Sequence, residues 1–195
     1  VSLRTISPDS SEAWIAAGAV ALVNGMAFGT AYTFGTFFDS MADDFGAERG
    51  ATALLFGLTL LFFFGFGIVS GPLSDRFGHD RVLLVGGSMF VAGLVLTSQV
   101  ESLAVGYLTY GVGVGIGAGF FVAPLTALIG QLFVDRRTLA LGAVAAGNGL
   151  GTLILSPLSE RLIDANGWRS AYLTLATVGA VVVVLSWLAV RVRVD

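Results

Sequence analysis

Charged residues divide this chain into six long apolar stretches. Uncharged runs cover residues 13–38, 50–74, 82–100, 102–134, 138–159 and 170–190. An α-helix rises about 1.5 Å per residue, so roughly 20 residues cross a hydrocarbon layer about 30 Å thick. Each run reaches that length or comes close to it. Strands of a membrane barrel alternate apolar and polar positions over about ten residues, whereas these runs are continuously apolar. One such run would suit the buried core of a soluble protein. Six leave no polar elements to coat such a core, so the pattern predicts an all-α membrane protein with six transmembrane helices. The expected spans are 13–38, 50–73, 82–100, 103–133, 139–159 and 169–190. Residues 1–12 form a segment before them, and residues 191–195 begin a linker.

Composition agrees with lipid as the solvent. Of 195 residues, 55% are hydrophobic and 12% charged, against roughly 25% charged in soluble domains; the mean hydropathy is +0.87. There is no cysteine, and the single histidine, His79, leaves no histidine cluster for a metal. No metal or other cofactor is expected. A net charge of −3 gives no basic footprint for nucleic acid. No signal-peptide pattern precedes the first run, so the spans are expected to act as their own insertion signals.

The arginines set the orientation. With the N-terminus inside, the inner loops carry Arg4, Arg76, Arg81, Arg136, Arg137, Arg191 and Arg193, and the outer loops only Arg49, Arg161 and Arg169. The positive-inside rule then places both termini in the cytoplasm of a cell-membrane protein. Trp14, Trp168 and Trp187 fall near span ends, where indole rings favour the interface.

Most of the 27 glycines lie inside the spans. In lipid, glycine lets helix backbones approach closely. The fourth span repeats it at Gly111, Gly113, Gly115, Gly117 and Gly119; the first carries Gly25 and Gly29, the fifth Gly147, Gly149 and Gly151. A shift of 88 residues pairs Gly25 with Gly113, Gly29 with Gly117, Tyr32 with Phe120, Phe45 with Phe133 and Arg49 with Arg137. Three spans reverse direction across a membrane, so this predicts a 3+3 inverted repeat.

Between the second and third spans stands Gly71-Pro72-Leu73-Ser74-Asp75-Arg76-Phe77-Gly78-His79-Asp80-Arg81. Gly78 suits the positive φ of a tight turn. His79 is expected to be solvent-exposed. The spacing of Gly71, Leu73, Asp75, Arg76, Gly78 and Arg81 resembles the signature loop of the major facilitator superfamily, at the position that family uses. The resemblance implies that this chain is one half of a twelve-helix transporter. It also implies that Asp75, Arg76 and Arg81 latch the two halves on the cytoplasmic face.

Further segments resemble the monocarboxylate transporter and oxalate–formate antiporter branch. They are Asn24 to Phe38 in the first span and Phe133-Val134-Asp135-Arg136-Arg137-Thr138-Leu139-Ala140-Leu141-Gly142 before the fifth. Gly167-Trp168-Arg169 is shared more widely in the superfamily. Asp135, Arg136 and Arg137 join the gating residues on this resemblance. Tyr107 to Gly111 lacks the arginine of many proton-driven antiporters, as that branch commonly does. Only Ser156-Pro157-Leu158 follows the glycines of the fifth span, which argues against drug efflux.

The resemblance implies a small-molecule solute, with a proton or counter-anion, bound between this half and a C-terminal six-helix half. With no charge inside any span, this half is expected to supply shape and neutral hydrogen bonds. The cavity candidates are Asn24, Thr30, Tyr32 and Thr33 in the first span, Phe121 and Thr126 in the fourth, and Asn148 in the fifth. Competing readings are a superfamily transporter of another solute (sugar, nitrate or drug), a six-helix channel, and a scaffold or homodimer. An intramembrane serine enzyme lacks its parts: there is no Gly-x-Ser-x-Gly, and the histidine lies in a loop. A channel of the paired Asn-Pro-Ala kind is excluded, since no Asn-Pro occurs.

Overall fold

The computed structural model describes residues 4–194; the first three residues of the expected leading segment, and Asp195 of the expected linker, lie outside it. Apart from two short strands the chain is helical: α1 (Ser11–Tyr32), α2 (Phe34–Phe45), α3 (Arg49–Phe77), α4 (His79–Thr97), α5 (Leu103–Gly106), a π-helical segment (Tyr107–Val114), α6 (Gly115–Leu132) and α7 (Arg137–Val190). Strands β1 (Arg4–Ile6) and β2 (Val192–Val194) pair in parallel, Arg4 opposite Val192. They bring the two ends of the described chain to one corner of the bundle.

Each start and stop has a local cause. Ser10 caps α1 by accepting a hydrogen bond from the Ala13 N–H at 3.2 Å. The first span continues past Thr33 into α2, which buries Phe34, Phe37 and Met41 on one face and ends at Gly46 with φ 56°. Gly78, at φ 93°, separates α3 from α4, as the turn chemistry required. His79 opens α4 directly behind that turn and is half-buried, not solvent-exposed as expected.

The last helix is two spans. Fifty-four residues would make a rod of about 80 Å, but Gly167 breaks α7 with φ 77° and ψ 163°. Both far ends return to the corner of the termini. The first arm begins beside Asp9, and the second leads into β2. Among the described residues five helical segments are long and apolar enough to cross a membrane, and the break in α7 makes the spans six, the number expected of one half of a major-facilitator bundle.

The glycines show how the two triples of spans correspond. Gly25 and Gly29 of α1 pack against Gly147 and Gly151 in the first arm of α7; a Cβ on Gly25 would lie 2.6 Å from the Gly147 carbonyl oxygen. Likewise Gly115 and Gly119 pack against Thr59 and Phe63 of α3. Gly78 and Gly167 break the two triples at matching places. Arg49 and Arg137 each open the second helix of their triple. The repeat is therefore real, but its register differs in the first helix. Gly25 and Gly29 correspond to Gly115 and Gly119, a shift of 90 rather than 88. Gly113 and Gly117 face Gly93, Gly86 and Phe90 of α4 instead.

Candidate functional site

Four helical segments, α1, α3, α6 and the first arm of α7, build a face with two cavities. One, of about 500 Å³, is lined by Phe28, Tyr32, Asn148, Gly149, Thr152 and Leu153. The other, also about 500 Å³, lies between α3, α6 and the start of α7. Its walls include Phe63, Phe64, Thr126, Ala127, Gly130 and Arg137. An aromatic ridge joins them: the Phe28 ring is 6.1 Å from Tyr32, 5.0 Å from Phe63 and 6.4 Å from Phe64.

The polar groups on this face are few and specific. Tyr32 is 45% exposed, so its phenol reaches the open space. The Asn148 side-chain oxygen is buried without a hydrogen-bond partner among the described residues. Such a group costs free energy unless something donates to it. The Thr126 hydroxyl donates to the Val122 carbonyl at 2.8 Å and accepts from Asn24 at 3.0 Å. The face thus presents apolar surface with neutral hydrogen-bonding groups at its edges and one cation, Arg137, in the wall of the second cavity, the usual make-up of a small-solute site.

Of the expected cavity residues, the structure brings Tyr32 and Asn148 together and puts Thr126 at the second cavity. Asn24, Thr30, Thr33 and Phe121 are instead packed in the interior. Asn24 ties α1 to α6 through Thr126, the Thr30 carbonyl accepts from the buried Tyr110 hydroxyl at 3.0 Å, and Phe121 meets Phe90 edge-on at 6.2 Å. Sequence reasoning missed Phe28, Phe63, Phe64 and Thr152. The run Phe62-Phe63-Phe64, and Phe28 one turn before Tyr32, were the available signals.

The residues expected to gate lie at the helix ends. Asp75, Arg76 and Arg81 are exposed; Arg76 lies over the Phe77 ring at 5.3 Å. Among the described residues Asp75 has no hydrogen-bond or ion-pair partner. In the second loop, Asp9 gathers three consecutive backbone N–H groups. Val134 and Asp135 donate to one carboxylate oxygen and Arg136 to the other, each at 3.1 Å. Partial burial pushes the Asp9 carboxyl up, but these three donors and the Arg136 charge outweigh it and hold its pKa below the ordinary value. Asp9 was not singled out in the sequence, because its partners are main-chain groups 125 residues away.

A duplicated motif was also legible and overlooked. Pro72-Leu73-Ser74-Asp75-Arg76 recurs as Pro157-Leu158-Ser159-Glu160-Arg161. The hydroxyls of Ser74 and Ser159 are both buried and unpartnered among the described residues.

Residues 20–195 match the Major Facilitator Superfamily. The chain belongs to that superfamily. It is 37% identical over 166 residues to mouse monocarboxylate transporter 3, covering 85% of this chain and 34% of that protein. To human monocarboxylate transporter 11 it is 32% identical over 171 residues, covering 88% of this chain and 36% of the relative. It thus spans about a third of the length of these curated relatives. Among solved structures, the crystal structure of tetrameric PepTSo2 matches with a TM-score of 0.72 at 18% identity. That match covers 90% of this chain and 40% of the other, and it carries the superfamily fold alone.

Proposed function

We propose that this chain is the N-terminal half of a secondary active transporter that moves a small organic anion of the monocarboxylate type by alternating access. The observation that carries the reading is the aromatic-ridged face with Tyr32 and Asn148 at its edge, in a chain 37% identical to a monocarboxylate transporter. A C-terminal half closes this face, and the solute sits between the halves near the membrane midplane. Ile68 on α3 and Leu153 on the first arm of α7 are 80% and 70% exposed, which suits helices that meet lipid or a second bundle. Residues before Ser11 and after Val190 lie in the cytoplasm on the arginine bias, and a proton or counter-anion is co-transported. The reaction is movement without covalent chemistry.

The full-length protein reconstituted in liposomes tests this. Labelled lactate, pyruvate, formate and oxalate are offered in counterflow. Saturable uptake of one of them, chased by the unlabelled anion, is expected. Uptake of a sugar or nitrate with no carboxylate transport would overturn the substrate class.

A further inference from the structure

The geometry points to Arg137 as the anion-recognising group that this chain contributes, holding a carboxylate at the cytoplasmic end of the face. This rests on the transport reading above, and it changes the expectation that this half carries no cation for an anion.

Arg137 begins α7 just outside the charge-free run, yet its side chain does not stay in the loop. It folds back across Gly130, so that a Cβ there would lie 3.2 Å from Nη2 and 3.4 Å from Nε. A Cβ at position 130 would make the guanidinium give by a few tenths of an ångström. Among the described residues the guanidinium is the one charged group lining the second cavity. It has no ion-pair or hydrogen-bond partner among the described residues.

The repeat explains why it stands unpaired. Arg49 is its counterpart at the opposite end of the bundle, and Arg49 has a carboxylate 3.6 Å away on Asp39. With the first-helix shift of 90, Asp39 corresponds to Ile129, which is buried, while the exposed Ala127 lines the cavity beside the arginine. One triple carries its own counter-ion, and the other has no carboxylate at the matching position. No acidic residue occupies the first turn of α7, and an arginine there is unfavourable against the helix dipole. A planar guanidinium fork accepts a carboxylate in two parallel hydrogen bonds. Phe63 and Phe64 supply an apolar wall for the rest of a short acid. The ligand class is therefore a monocarboxylate with a short apolar tail.

The full-length protein carrying Arg137→Gln, Arg137→Lys or Ala127→Asp is reconstituted, and lactate uptake is measured beside acetate-induced thermal stabilisation in detergent. Ala127→Asp puts a carboxylate at an exposed position lining the same cavity and should occupy the guanidinium internally. The expected result is a KM for lactate raised about tenfold or more in Arg137→Gln and Ala127→Asp, with Arg137→Lys between them and wild type. Acetate stabilisation should be lost in the same order. An unchanged KM and unchanged acetate response in Ala127→Asp, or in a folded Arg137→Gln, overturns the assignment. If wild type moves no carboxylate but acetate still stabilises it through Arg137, the transport reading fails and the site stands.

Discussion

Arg169 grips Asp44: its Nη1 lies 2.7 Å from the carboxylate Oδ2, while Nη2 donates to the Val100 carbonyl at 2.9 Å. The same guanidinium lies 4.3 Å over the Trp168 ring, and Trp168 meets Phe45 edge-on at 5.7 Å. One side chain thus fastens the end of α2, the turn before α5 and the break in α7. The pair is part-exposed, so its Coulomb attraction is damped by solvent. Arg169→Ala should destabilise the protein by about 1–2 kcal/mol, mostly through the lost carbonyl bond and ring packing. Asp44→Asn should cost less, because both of those contacts survive. Thermal unfolding in detergent separates the two.

Backbone contact between α1 and the first arm of α7 predicts a sharp contrast among glycines. Gly147→Ala puts a methyl 2.6 Å from the Ala21 carbonyl oxygen, and Gly25→Ala puts one as close to Gly147. Each should cost about 1–3 kcal/mol, the usual penalty of overpacking, and lower membrane yield. Gly18→Ala and Gly149→Ala meet nothing within 4 Å and should leave melting temperature unchanged.

The Asp9 anchor has a defined pH dependence. Its carboxyl pKa is held below the ordinary value in the folded chain. Its stabilisation is therefore complete above the unfolded value of about 3.9 and is lost as pH falls through the folded one. At neutral pH, Asp9→Asn should speed protease cleavage ahead of α1 relative to wild type. Once the pH has fallen below the folded-state pKa the difference should vanish.

Cavity and packing residues should part in transport assays. Asn148→Ala and Tyr32→Phe should raise the KM for the transported anion severalfold, since each removes a hydrogen-bonding group, with little change in melting. Phe121→Ala, fully inside the bundle, should instead cost about 3–5 kcal/mol of stability. Quantified uptake beside thermal melts of the same preparations reads both.

The spans were legible because charge and apolarity report burial in lipid directly. Gly78 was legible for an equally local reason, since a turn between two helices needs positive φ. The facing of the fourth span was not. Glycine at every second position from Gly111 to Gly119 puts a small residue on every side, so spacing alone cannot say which side meets which neighbour. The π-helical stretch Tyr107–Val114 also turns by more residues per turn than an α-helix, which shifts the phase of everything counted across it. Phe121 is expected at the cavity because the fourth helix lines it in the family the chain resembles, but it lies against Phe90. Tyr32 and Asn148 stand out in the sequence because a polar side chain in an apolar run needs a partner. Arg137 was assigned to a loop because sequence does not show a side chain folding back over Gly130.

The short ladder between β1 and β2 has a mechanical consequence. Entry and exit of this bundle are hydrogen-bonded to one another, so they travel as a single point. A pair of dyes on the two strands should keep a constant separation while the helices of the bundle move against one another.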